Sequence, residues 1–172
     1  MQDLVLQTDA LPAGRVTRWE WFGVGKEVKA GKYFKFRLTL CHTSRRALTE
    51  KYADNYDGNT PAQVFYRDPV QFDPKLNDWF GFTCDAPFDY NGRDNLIVEV
   101  WWAGQENEAN AYTDWGRDFM GRCVVSFVTK GIPECGYPDA GRVQDYIHYM
   151  RITMTGVAVS PTSLGRVKGL FR

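Results

Sequence analysis

A chain of 172 residues is the length of one ordinary domain, and its 21 basic and 21 acidic side chains cancel, so no net field draws it to nucleic acid or an anionic membrane. No run approaches the roughly 20 apolar residues of a membrane helix, which argues against membrane insertion. Aromatics at 15%, with 16 glycines and 8 prolines, suit strands joined by turns better than packed helices.

In chain order, the first residues MQDLVLQTDALPAG lack the basic stretch and apolar core of a signal peptide. Weakly alternating runs at Leu4 to Gln7 and Arg18 to Phe22 are strand candidates. Tyr33 to Cys41 alternates most clearly: Phe34, Phe36, Leu38 and Leu40 share one face against Lys35, Arg37 and Thr39. Ser44 to Tyr52 has Ala47, Leu48, Lys51 and Tyr52 at helical spacing, and reads either as a turn or two of helix or as a polar crossover loop. Ala62 to Tyr66 and Trp79 to Cys84 are further strands. A bend is expected from Pro87 to Asn95, where proline, Gly92 and Asx residues gather before the run Leu96 to Trp102. Cys123 to Thr129, Met150 to Thr155 and the weaker Gly156 to Val159 complete about nine strands, enough for two packed antiparallel sheets. Beyond Pro161, Leu164, Val167, Leu170 and Phe171 share one side of a helix that Gly165 and Gly169 weaken. The expected organisation is a β-sandwich over residues 1–160 and a docking tail over 161–172.

Motifs for nucleotide binding and zinc hydrolysis are missing, and the two histidines, His42 and His148, read as strand-end residues outside any nucleophile context. Glu20 lies between Trp19 and Trp21, and Glu99 lies two residues before Trp101. Either glutamate would serve a glycosidase pair, yet alternation reads both more simply as solvent-face residues. Asp89, Asn91 and Asp94 offer oxygens around Gly92, as calcium requires, and the stretch Asp54 to Asn59 is similar; an Asx turn uses the same residues without an ion. No other cofactor is indicated. Cys41, Cys84, Cys123 and Cys135 lack CxxC spacing, which leaves buried thiols or disulfides, with Cys123 and Cys135 close enough in sequence for a bridge. Tyr112 and Trp115 in a long loop, and Trp101 at a strand end, are candidate rings for stacking on a glycan.

The order Trp79 to Thr83, then Pro87-Phe88-Asp89-Tyr90-Asn91-Gly92, then Asn95-Leu96-Ile97-Val98-Glu99-Val100 resembles a jelly-roll-like β-sandwich module of bacterial secreted and cell-surface proteins. The likeness spans about Gly31 to Trp102, with Met150-Arg151-Ile152 similar to that module's closing strand, and the ending from Ser163 is similar to short tails that follow such surface modules. It implies a location outside the cell, after loss of a signal peptide, and transfers no catalytic residue. A tail with little reason to be rigid alone invites a partner, either its own domain or another copy. The expectation is therefore a non-enzymatic subunit that joins copies of itself through Leu4, Leu6, Leu164, Val167, Leu170 and Phe171. The alternative is a carbohydrate-binding or adhesive module using the three aromatic rings.

Overall fold

The computed structural model describes residues 1–9, 11–24, 28–106, 109, 111, 113–117, 119–126 and 140–156. The fold is mostly antiparallel β. The strands are β1 (Gln2–Val5), β2 (Gly14–Phe22), β3 (Gly31–Phe34), β4 (Phe36–Thr43), β5 (Ala62–Arg67), β6 (Val70–Phe72), β7 (Trp79–Tyr90), β8 (Asn95–Trp101), β9 (Gly104–Gln105), β10 (Trp115–Arg117), β11 (Cys123–Val125), β12 (Arg142–Gln144), β13 (Tyr146–His148) and β14 (Met150–Thr155), with one short helix α1 (Tyr52–Asn55). Fourteen strands among the described residues exceed the nine expected, because several short runs carry too little alternation to read as strands. The largest sheet runs β12-β11-β1-β8-β4-β5; a second, β14-β2-β7, is joined by the smaller sheets β6-β3-β9 and β10-β13.

The main core is shared by several sheets: Leu38, Leu40, Val98 and Val100 of the six-stranded sheet, Val16, Trp19, Trp21 and Phe82 of the β14-β2-β7 sheet, and Tyr33 and Phe72 of the β6-β3-β9 sheet are all buried in it. Phe65 and Phe82 stack with centroids 3.7 Å apart and planes 11° from parallel, and Phe82 also meets Trp21 and Phe36 edge-on. A second apolar cluster of Leu4, Cys41, Leu48, Tyr52, Ile97 and Val124 covers the other face of the six-stranded sheet. The segment around α1 supplies Leu48 and Tyr52 to this cluster and lies over β1 and β8.

Two expectations are corrected here, and two open readings are narrowed. The run Tyr33 to Cys41 is two strands in two sheets, because Lys35 takes φ 50° and donates its backbone N–H to Asp68 Oδ1 at 3.0 Å. Phe34 consequently turns outward, 38% exposed, while Tyr33 and Phe36 point inward. The bend expected at Pro87 begins later: β7 runs through Pro87 to Tyr90, and proline is tolerated there because β7 is an edge strand whose register with β2 shifts between Val16 and Arg18. In the stretch after β4 the helical turn lies at Tyr52–Asn55, so of the two readings of Ser44 to Tyr52 the crossover loop is the one found. Finally β1 is paired on both sides, with β8 and β11, and Leu4 is fully buried. Leu4 thus packs within its own chain, and Leu6, half-buried, lies against the second cluster. Leu164, Val167, Leu170 and Phe171 lie outside the described residues.

Candidate functional site

Strand β1 organises the polar interior, since all four of its residues are buried and two of them are Gln2 and Asp3. Cross-strand partners share a face, and the pairs Gln2↔Glu99 and Asp3↔Val98 send Gln2 and Asp3 to opposite sides of the sheet.

On the outer side, Gln2 Nε2 donates to Glu99 Oε2 at 2.7 Å, and the Tyr56 hydroxyl donates to the same oxygen. Asn55 Nδ2 donates to Gln2 Oε1 at 2.9 Å and to the Thr49 carbonyl at 3.0 Å. Glu99 is 3% exposed, so its expected solvent-facing position is corrected: the segment around α1 roofs it. Burial, reinforced by the Glu99 charge, pushes the Cys41 thiol up to about 11 and the Tyr52 phenol up to about 12.

On the inner side, Asp3 pairs with Cys123 of β11 and meets His148 of β13, whose Nδ1 lies 2.9 Å from Asp3 Oδ2 and 3.1 Å from Oδ1. One ligand atom from each of Asp3, Cys123 and His148 lies within 4.8 Å of the other two. Burial is the main force raising the Cys123 thiol, followed by the adjacent Asp3 charge and the thiol's own hydrogen bond to that carboxylate; a hydrogen bond from Tyr146 opposes them. Such a thiol is protonated and inert at neutral pH, unlike a catalytic cysteine, but it belongs to a donor set able to hold a transition metal. Sequence reading missed this cluster, which has no spacing motif. The available signal was Asp3 itself, an acid directly before the apolar run Leu4-Val5-Leu6.

Glu20 is also buried, at 4%, contrary to the solvent-face expectation. It is clamped by Arg151, with Nε and Nη2 each at 2.7 Å, and by Arg18 Nη2 at 3.0 Å. The Arg151 hydrogen bond is the largest influence, and although burial works against it, the Glu20 carboxyl falls to about 2. Trp19 and Trp21 point into the core, so Glu20 points away from it, just as Glu99 does on the other large sheet. The core layer therefore separates these two carboxylates, and they do not face one another across a cleft.

Of the residues considered for calcium, Asp89 is engaged by Arg15, with Nε to Oδ1 at 2.8 Å. Asn91 Oδ1 accepts from the backbone N–H of Arg93 and Asp94 at 2.9 and 3.0 Å, and its Nδ2 donates to Asp94 Oδ2 at 2.7 Å. These bonds form an Asx turn. Asp57 is likewise bonded to the Ser44 hydroxyl and backbone N–H. An open hollow of about 350 Å³ adjoins the Arg15–Asp89 pair.

Of the three rings considered for glycan stacking, Trp101 is half-buried with the Arg37 guanidinium 4.7 Å over its centroid, and Trp115 carries Arg117 at 4.9 Å. On both rings a guanidinium covers one face. Tyr112 lies outside the described residues. Cys123 is enclosed beside Asp3 as a free thiol, and Cys41 and Cys84 are free as well; Cys135, considered as a bridge partner of Cys123, lies outside the described residues. His42 stacks on Tyr90 and its Nε2 accepts from the Asn91 N–H at 3.2 Å, so it braces the turn before β8.

The fold and these clusters define an all-β protein with a polar, hydrogen-bonded interior. Compared with protein-family models, curated proteins and solved structures, the chain matches none. Among the described residues no helix is long and apolar enough to cross a membrane.

Proposed function

We propose that the chain is a non-enzymatic structural subunit, a jelly-roll-like two-sheet β-sandwich over residues 1–160, that joins copies of itself into a filament or layer at a cell surface. The observation that carries this reading is the edge of the β14-β2-β7 sheet. Among the described residues β14 pairs only with β2, and the chain leads from it through Gly156 toward the apolar tail positions Leu164, Val167, Leu170 and Phe171. An edge strand offers a row of backbone donors and acceptors to an added strand. With β1 paired on both sides, the contact moves from the N-terminal strand to β14 and the segment after it.

The shared core of the two larger sheets supports the sandwich reading. The location outside the cell rests on the resemblance of Trp79 to Val100 to secreted modules. Burial of Cys41 and Cys123, at 1% and 0% exposed, would shield both thiols from an external oxidant. Sedimentation velocity over a wide concentration range tests the assembly. The wild type is expected to grow with concentration, and Leu170→Asp combined with Phe171→Asp to stay monomeric. A wild type that is monomeric throughout would overturn the proposal, and glycan-array binding by such a monomer would favour the carbohydrate-binding alternative.

A further inference from the structure

We propose that Asp3, Cys123 and His148 form a buried site for a divalent transition-metal ion, zinc by the character of the ligands, which clips the N-terminal strand to the C-terminal part of the chain. The donors are one carboxylate oxygen, one sulfur and one imidazole nitrogen, a mixed set that zinc accepts and that magnesium and calcium do not favour. Bonds of about 2.0–2.3 Å from a tetrahedral ion place its ligand atoms roughly 3.3–3.8 Å apart. The three donor atoms already lie within 4.8 Å of one another, and the 2.9 Å contact between His148 and Asp3 needs to open by less than about 1 Å to admit the ion.

Charge favours the same outcome. Asp3 and Cys123 are fully buried and the His148 side chain is 10% exposed. A dication bound to a carboxylate, a thiolate and a neutral imidazole is neutral as a unit, so no net charge is left in the dry interior. Cys123 gives up its proton to solvent as its sulfur binds the metal. Tyr146, hydrogen-bonded to Cys123, and the Met1 amino group are the other polar groups facing the cluster.

Topology gives the clip its purpose. β13 pairs only with β10 among the described strands, and the His148–Asp3 contact ties this two-stranded sheet to the six-stranded one across 145 positions of sequence. Cross-links that close long loops restrict the unfolded chain most.

The test uses the whole chain, freed of metal by a chelator and titrated with Co²⁺ as a spectroscopic probe, then with Zn²⁺ to displace it. Expected are one equivalent bound per chain, a thiolate-to-cobalt charge-transfer band, and loss of that band in Cys123→Ser. His148→Gln should weaken zinc binding at least about tenfold, with circular dichroism verifying that each variant is folded. X-ray absorption on the zinc-loaded wild type needs no variant and should show one sulfur among nitrogen and oxygen neighbours. Failure to bind one equivalent, a band that survives Cys123→Ser, or a shell with no sulfur or with several would overturn the proposal.

Discussion

Replacing Glu20 by glutamine removes the one acidic charge that two arginines share on the outer face of the β14-β2-β7 sheet. The carboxyl lies at about 2 in the folded protein against an ordinary 4.5, and that difference sets a ceiling of about 3 kcal/mol on what ionisation contributes to stability. Arg18 and Arg151 are 40% and 50% exposed, so solvent screens the attraction, and about 1–2 kcal/mol is the expected share. Because the folded value lies below the unfolded one, this stabilisation is fully present above about pH 4.5 and disappears as the pH falls toward 2. Other depressed carboxyls, including Asp85 and Asp89, lose stabilisation on acidification too. The informative quantity is therefore the gap between wild type and Glu20→Gln at each pH. Urea unfolding followed by tryptophan fluorescence suits the measurement, since Trp19 and Trp21 flank the site and are buried. Glu20→Gln should be less stable by about 1–2 kcal/mol at pH 6, with the gap shrinking by more than half near pH 2.5. Parallel stability profiles across that range would refute the reasoning.

Gly81→Ala should cost at least the upper end of the roughly 1–3 kcal/mol typical of overpacking, because its Cβ would sit 2.0 Å from the Trp19 carbonyl oxygen and 2.6 Å from Glu20 Cα; an unchanged urea midpoint would contradict the β2–β7 register. Phe82→Ala should lose about 3–5 kcal/mol, since its ring stacks on Phe65 and meets Trp21 and Phe36; calorimetry showing a loss below about 1 kcal/mol would count against that core. Cys41 and Cys123 should resist a maleimide at pH 7 in the native protein and react fully in urea, because both are buried and both thiols are raised; peptide mapping of native protein labelled at either residue would contradict their enclosure.

The strands that were legible in the sequence are those where alternation and environment agree. In Met150–Thr155, Met150, Ile152 and Met154 are half-buried and Arg151, Thr153 and Thr155 exposed, as period 2 requires. Lys35 defeats the same method, because one residue at positive φ rotates everything beyond it, and no residue type in Tyr33-Phe34-Lys35-Phe36 announces that conformation.

The buried acids expose a deeper limit. Alternation separates the two faces of a strand, but it does not say whether the second face is wet. Glu99 reads as solvent-facing because it alternates with Val98 and Val100, yet Tyr56, 43 positions earlier, donates to it while Asn55 holds the neighbouring Gln2. Glu20 alternates with two tryptophans and is closed over by Arg151 from the far end of the described chain. Asp3, Cys123 and His148 meet only because β1 slots between β8 and β11 while β13 crosses above Asp3. Each partner is supplied by sheet order, which local sequence leaves open. A polar residue alternating inside an apolar strand is therefore ambiguous until the sheet is assembled, and in this chain Glu20 and Glu99, which read as ordinary surface residues, are held by partners that sheet order and the returning chain supply, Arg151 of the neighbouring strand and Tyr56 beside α1.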